Sequence, residues 1–182
     1  MKEIVKYLYN EKPNIVQGGV LHDERGHGIT PKKHLDKYIN WVLNHLPDDK
    51  VYLIVQAAYS PGHAIYFTNK TGQIINGKNK LKEFLIQRNG VICHYMYFNT
   101  IEEAENCKSA MQRPLLRFSL YITQTDQHIN PGKHYKYIPN INWKDDKVKT
   151  DEGILELCGC LKEKAKEYSE YCKNIINKIN EK

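Results

Sequence analysis

Cationic, amide and aromatic side chains are concentrated between Asn99 and Tyr137, and they are the residues of this sequence best suited to chemistry. From Lys108 to Lys136 there are five cations and one anion, a net charge of 5 − 1 = +4, in a chain whose total is 27 − 21 = +6. A local excess of this kind favours a surface that faces a polyanion.

Side chains of these types match the chemistry of double-stranded DNA. Arginine and lysine bind phosphates and arginine also pairs with guanine, whereas glutamine and asparagine pair with adenine and tyrosine stacks on an exposed base. The predicted DNA-binding residues, with Tyr137 as a further support, are Lys108, Gln112, Arg113, Arg117, Tyr121, Gln124, Gln127, Lys133, Tyr135 and Lys136. In the alternative interpretation, Arg117 and Tyr121 pack between helices and the loop that follows them is only solvated.

Two helical segments should position the first of these residues. Thr100 and Glu103 form a capping box, which predicts a helix from about Ile101 to Arg113. Pro114 cannot donate to the preceding turn, so the chain must kink or restart there and continue as a second arm over 115–122.

The remaining pattern predicts an α+β fold, a small, mostly antiparallel sheet with packed helices and a helical C-terminal extension. Apolar runs rich in β-branched and aromatic residues predict strands at 51–56, 63–68, 73–75 and 91–98, with a hairpin turn at 69–72. Helical periodicity covers 2–9, 32–46 (with Pro31 in the first turn) and 80–88.

The C-terminal part carries its own signals. Residues 135–139 look extended because Pro139 restricts the residue before it, and Trp143 should anchor this loop. Thr150 or Asp151 should cap a short helix that ends near Cys158, and Gly159 should terminate it before a final helix over 161–179. We therefore predict two domains, a mixed α/β DNA-recognition domain over 1–143 and a helical cap over 144–182.

Composition limits the compartment and the class of protein. At 182 residues and 41% apolar content, the chain is long enough for one well-buried domain. It shows no signal-peptide pattern and no apolar run near the roughly 20 residues of a membrane span. The five cysteines form an odd set without a disulfide framework, so we expect a cytoplasmic protein.

An ordered series of short motifs resembles the C-terminal target-recognition region of adenine-specific N6 DNA methyltransferases of restriction-modification systems. The motifs are Glu103–Asn106, Arg113–Phe118, Gln124–Gln127, Tyr137–Pro139 and Thr150–Gly153. Their order and spacing match that family over residues 91–180, about half of the chain. The resemblance implies a partner, double-stranded DNA, and a site made of the basic helix and loop.

The catalytic half of that family is not recognisable in this sequence. The family holds the target amine with an Asn/Asp-Pro-Pro-Tyr/Phe motif and binds S-adenosylmethionine with a glycine-rich loop, and neither motif occurs here. The resemblance therefore implies a fragment or stand-alone homologue that reads DNA without modifying it and is not catalytic alone. S-adenosylmethionine would belong to a missing catalytic domain or methyltransferase subunit.

A nuclease of the GIY-YIG type is one alternative function. Residues 65–72 followed by 75–78 resemble its tyrosine-bearing hairpin, and Arg88 and Glu105 would then bind phosphate and metal. However, Asn76 stands where the second tyrosine is expected, and a plain β-hairpin explains the same residues.

A cysteine hydrolase is a less favoured alternative. The segment around His63 resembles the histidine strand of thiol proteases, and Cys158 would be the nucleophile. Cys158 fits better as the end of a helix, and the Cys158–Cys160 spacing is too tight for a structural zinc site. His22, His27, His34 and His45 share no helix or strand face, so no metal site is expected.

Overall fold

A computed structural model describes most of the chain. The described residues are 2–17, 21–22, 28–29, 34–56, 72–88, 93–123 and 135–181. They form two compact units. We call the described residues between 14 and 104 the sheet unit, and those in 2–13 and 105–181 the helical unit. The predicted domain boundary between residues 143 and 144 stays a prediction.

The sheet unit contains six strands and two complete helices among its described residues. They are β1 (Ile15–Gln17), β2 (Leu21–His22), β3 (Gly28–Ile29), α2 (Leu35–His45), β4 (Val51–Gln56), β5 (Ile74–Asn76), α3 (Lys78–Gln87) and β6 (Cys93–Phe98). Four strands form an antiparallel sheet in the order β1-β6-β4-β5, and β2 pairs with β3 separately. Met96 on β6 is the partner of both Ile15 and Leu53, which fixes the register of the three strands.

The core of the sheet unit lies between the sheet and helices α2 and α3. Tyr52, Ile54 and Tyr95 from the strands cluster with buried side chains of both helices. The hydroxyls of Tyr38 and Tyr95 lie 3.1 Å apart inside this core, so each buried phenol has a hydrogen-bond partner.

The helical unit is built from helices that pack on one another. Its elements are α1 (Lys2–Leu8), the larger part of α4 (Ile101–Met111), α5 (Pro114–Thr123), 3-10 turns at Tyr135–Tyr137 and Asp146–Lys149, α6 (Asp151–Leu157) and α7 (Lys162–Asn180). α7 contacts both α5 and α6, and the turn at Tyr135–Tyr137 contacts α1 and α5. Buried apolar residues from every helix fill the space between them.

The α+β fold class predicted from the sequence is confirmed. The predicted capping box is also confirmed, because the Glu103 carboxylate accepts from the N–H of Thr100 at 3.0 Å and the Thr100 hydroxyl accepts from the N–H of Glu103 at 3.3 Å. α4 ends at Met111 and a new helix begins at Pro114, as the proline predicted. Thr150 caps α6, and Gly159 follows the end of that helix with φ +87°.

The predicted extended conformation of 135–139 is wrong over residues 135–137, which form a 3-10 turn. Tyr135 and Ile138 are both buried, and the Ile138 N–H donates to the Tyr135 carbonyl at 3.1 Å, so this pair closes the turn. Pro139 restricts only Ile138, the residue directly before it. Strand β1 was not predicted, whereas the predicted strand at 63–68, the turn at 69–71 and Pro31 lie outside the described residues.

No helix in the described part of the chain combines the length and the apolar character needed to cross a bilayer.

Candidate nucleic-acid interface

The described members of the predicted DNA-binding set all belong to the helical unit. Gln124, Gln127 and Lys133 lie outside the described residues. Lys108 is half-buried on α4, and Gln112 is exposed in the turn that follows that helix. The remaining members separate into residues with partners inside the unit and residues at its surface.

Arg113 is bound within the helical unit. Its Nε donates to Asp151 Oδ1 at 3.0 Å and its Nη2 donates to the carbonyl of Val148 at 2.5 Å. Asp151 Oδ2 also accepts from the backbone N–H of Leu115 at 2.9 Å. The carboxylate thus caps the first turn of α5 and holds the arginine that precedes it, which ties the α4–α5 kink to α6.

Burial and hydrogen bonding act in opposite directions on Asp151. Its side chain is 8% exposed, and burial raises the pKa of this carboxyl, while the Leu115 N–H and the Arg113 guanidinium oppose the rise. Burial has the largest effect, because a charge removed from water loses more than these two donors restore. The Leu115 N–H and, after it, the Arg113 guanidinium are therefore the groups that favour the ionised form of Asp151.

The segment Thr150–Gly153 also has a structural explanation. The Thr150 hydroxyl accepts from the N–H of Gly153 at 3.0 Å, which satisfies a free donor at the start of α6. A Cβ added at Gly153 would lie 2.0 Å from the Lys147 carbonyl oxygen, so only glycine allows the preceding turn to approach the helix. Two motifs of the sequence resemblance, Arg113–Phe118 and Thr150–Gly153, therefore contact each other in one folded unit.

Arg117 and Tyr121 follow one another on a single face of α5. The Nη2 of Arg117 donates to Asn180 Oδ1 at 3.0 Å near the end of α7. The Tyr121 side chain is 36% exposed. Arg117 therefore has a hydrogen-bond partner on α7, while Tyr121 is exposed at the surface of the unit.

Lys136 and Tyr137 meet Tyr9 at the surface of the helical unit, and we call these three residues the Tyr9 patch. Lys136 Nζ lies 5.7 Å from the centroid of the Tyr9 ring, within the range of a cation–π contact. The Tyr9 and Tyr137 rings meet edge to face with centroids 6.0 Å apart. Tyr135, by contrast, is fully buried and holds the turn in place from beneath.

Asn10 joins the two chain segments of the patch. Its backbone N–H donates to the Lys136 carbonyl at 2.6 Å, and its side-chain Nδ2 donates to the Ile138 carbonyl at 3.4 Å. The two segments are far apart in sequence, so sequence reasoning missed Tyr9. The only local feature that could have indicated Tyr9 is its position as an aromatic residue directly after Leu8, the last residue of α1, which is buried.

The residues of the alternative functions have other surroundings. Burial raises the pKa of the Cys158 thiol to about 12, so it is protonated at neutral pH and is a poor nucleophile. The Arg88 guanidinium lies 5.8 Å from the centroid of the Phe84 ring, and the tyrosine of the nuclease-like hairpin lies outside the described residues. Within the described ranges, no three histidine, cysteine or carboxylate side chains are grouped to hold a metal ion.

Comparisons with protein-family models, with curated proteins and with solved structures found no match to this chain.

Proposed function

We propose that this chain is a DNA-binding target-recognition module, a fragment or stand-alone relative of an adenine-N6 DNA methyltransferase. It binds double-stranded DNA in the cytoplasm without catalysing methyl transfer itself. S-adenosylmethionine and the methyl-transfer site belong to a catalytic domain or subunit that acts with it.

The observation that carries this proposal is the Tyr9 patch. A cation beside an exposed aromatic ring is a combination that nucleic-acid-binding surfaces use, because the cation neutralises phosphate and the ring contacts sugars and bases. Lys136 and Tyr137, both in the predicted DNA-binding region of the sequence, are the residues that contact Tyr9 in this patch, which supports the proposal. The net charge of +6 adds a long-range attraction for a polyanion.

The packing of the helical unit supports the relation to methyltransferases more indirectly. Arg113 and Asp151, which lie in two separate motifs of the resemblance, form a partly buried ion pair. This contact gives a physical reason for the two motifs to occur together in one folded unit.

A salt titration with matched variants tests DNA binding. Fluorescence polarisation with an end-labelled duplex should show binding at low salt. The affinity should then fall steeply as the salt concentration rises from about 50 to about 200 mM, because binding releases counterions from the DNA. Lys136→Gln should weaken binding and reduce the slope of log K against log salt by about 0.9, the value for one phosphate contact.

Lys144→Gln is the matched control, because Lys144 is an exposed lysine of the same unit outside the Tyr9 patch. It removes the same charge and should leave the slope near the unmodified value. Absence of duplex binding at low salt, or an affinity that does not fall as salt rises, would show that the proposal is wrong.

A further inference from the structure

We propose that the Tyr9 patch stacks on an unpaired base, so that the preferred ligand is DNA that presents an unpaired nucleotide beside duplex. This inference rests on the proposed DNA binding and specifies the form of DNA that the same site takes.

The exposure of Tyr9 is the first observation. Among the tyrosine, phenylalanine and tryptophan residues of the described part of the chain, Tyr9 is the most exposed, at 51%, even though it contacts both Lys136 and Tyr137. About half of the residue's surface therefore remains exposed to solvent and available to a ligand. A paired base inside a duplex has both faces covered by its neighbours and offers only its edges in the grooves, whereas an unpaired base offers a whole face.

The charge beside the ring is the second observation. Lys136 lies close enough to Tyr9 to bind the phosphate on either side of a stacked nucleotide. Asp and Glu side chains are absent from the Tyr9 patch itself, and the nearest carboxylate along the chain is Glu11, two residues after Tyr9. The patch thus pairs a stacking surface with one cation.

The rigidity of the patch is the third observation. The Asn10 hydrogen bonds fix the end of α1 to the turn that carries Lys136 and Tyr137. Tyr135 and Ile138, both buried, hold the same turn against the core of the unit. The two backbone segments that carry the ring and the ammonium group are therefore held together before a ligand arrives, which lowers the cost of ordering the patch on binding.

The test uses three end-labelled DNA ligands of one sequence: a fully paired duplex, the same duplex with one unpaired nucleotide, and the single strand. We expect the duplex with the unpaired nucleotide to bind about tenfold more tightly than the paired duplex, the scale of one base stacked on an aromatic side chain. Tyr9→Ala should abolish this preference without changing the circular dichroism spectrum.

Tyr9→Phe separates stacking from a hydroxyl contact. Phenylalanine keeps the ring and should keep the preference, whereas a phosphate contact through the tyrosine hydroxyl would be lost in this variant. A 2-aminopurine at the unpaired position should change its fluorescence on binding of the unmodified protein and Tyr9→Phe, and should not respond to Tyr9→Ala.

The outcomes distinguish this inference from the proposal on which it rests. If no DNA ligand binds, DNA binding itself is wrong. If the paired duplex binds in a salt-dependent manner and as tightly as the duplex with the unpaired nucleotide, only the stacking inference is overturned. Tighter binding to an RNA strand of the same sequence would overturn the assignment of the site to DNA.

Discussion

The ion pair between Arg113 and Asp151 allows a prediction that separates a structural arginine from a DNA-binding one. The two side chains are 22% and 8% exposed, and their Nε and Oδ1 atoms lie 3.0 Å apart. We consider the variants Arg113→Ala and Asp151→Ala and the double variant that combines them. If the pair stabilises the helical unit, both single variants should lower the free energy of unfolding, and the losses should not be additive.

The contacts set the size of each loss. Asp151→Ala leaves the buried N–H of Leu115 without its acceptor and removes a charge-assisted hydrogen bond from Arg113, and we expect a loss of about 3 kcal/mol. Arg113→Ala leaves a carboxylate that still accepts from Leu115, so its loss should be about 2 kcal/mol. The coupling energy between the two substitutions should then be about 1.5 kcal/mol.

The assay is urea unfolding followed by the fluorescence of Trp143, which is buried in the helical unit. The chain has two tryptophans, so a Trp41→Phe background makes Trp143 the only reporter. In thermal unfolding, the loss in Asp151→Ala should correspond to a fall of about 6–12 °C in Tm for a chain of this size. Asp146 and Lys149 form an exposed ion pair at 2.6 Å, and their double-mutant cycle should show no measurable coupling.

The pH dependence of Arg113→Ala provides a second readout. Burial already raises the pKa of Asp151, and removing Arg113 should raise it further, because an opposing positive charge is lost. The loss in free energy of unfolding caused by Arg113→Ala should be largest at a pH above the folded-state pKa of Asp151 in both the variant and the unmodified protein. This loss should become smaller as the pH falls through these two pKa values, because Arg113 does not stabilise the protonated, neutral form of Asp151.

A specific result would refute this reasoning. If Arg113→Ala keeps its stability and loses tenfold or more in affinity for duplex DNA, Arg113 is a DNA contact and the ion pair is unimportant. Zero coupling with two large single losses would instead mean that the two side chains stabilise the unit independently.

Two further predictions concern the same unit. Gly153→Ala should lower the free energy of unfolding by about 3 kcal/mol, because the new Cβ meets the Lys147 carbonyl at 2.0 Å. Gly159→Ala, with φ +87° and open space around it, should cost only about 1 kcal/mol, and equal losses would contradict the close contact. The Tyr168 hydroxyl donates to the Glu3 carboxylate at 2.8 Å and lowers the pKa of Glu3, so Tyr168→Phe should raise that pKa toward its ordinary value in an NMR titration. The stabilisation from Glu3 is present above its unfolded pKa and is lost as the pH falls through the lower folded value. An unchanged pKa of Glu3 in Tyr168→Phe would exclude this contact in solution.

The parts of the fold that the sequence predicted well depend on neighbouring residues. Thr100 and Glu103 are three positions apart, and their reciprocal hydrogen bonds follow from residue type alone. Pro114 and Gly159 act through their own backbone geometry, so the helix boundaries beside them were also predictable.

The candidate site was harder to predict because its contacts are distant in sequence. A count of cations does not reveal that Arg113 meets a buried carboxylate 38 positions later. Tyr9 joins Lys136 only because Asn10 reaches a carbonyl 128 positions away. Side-chain type indicated which chemistry was available, whereas burial decided which cations were accessible to a ligand.

The capping of α5 by Asp151 has a consequence for the order in which the helical unit assembles. The N–H groups in the first turn of a helix usually exchange with solvent rapidly, because they have no acceptor within the helix. The Leu115 N–H instead donates to a carboxylate on α6, 36 positions later. The start of α5 is therefore complete only when α6 is docked, so the two helices open as one cooperative unit and exchange at Leu115 reports the undocking of α6.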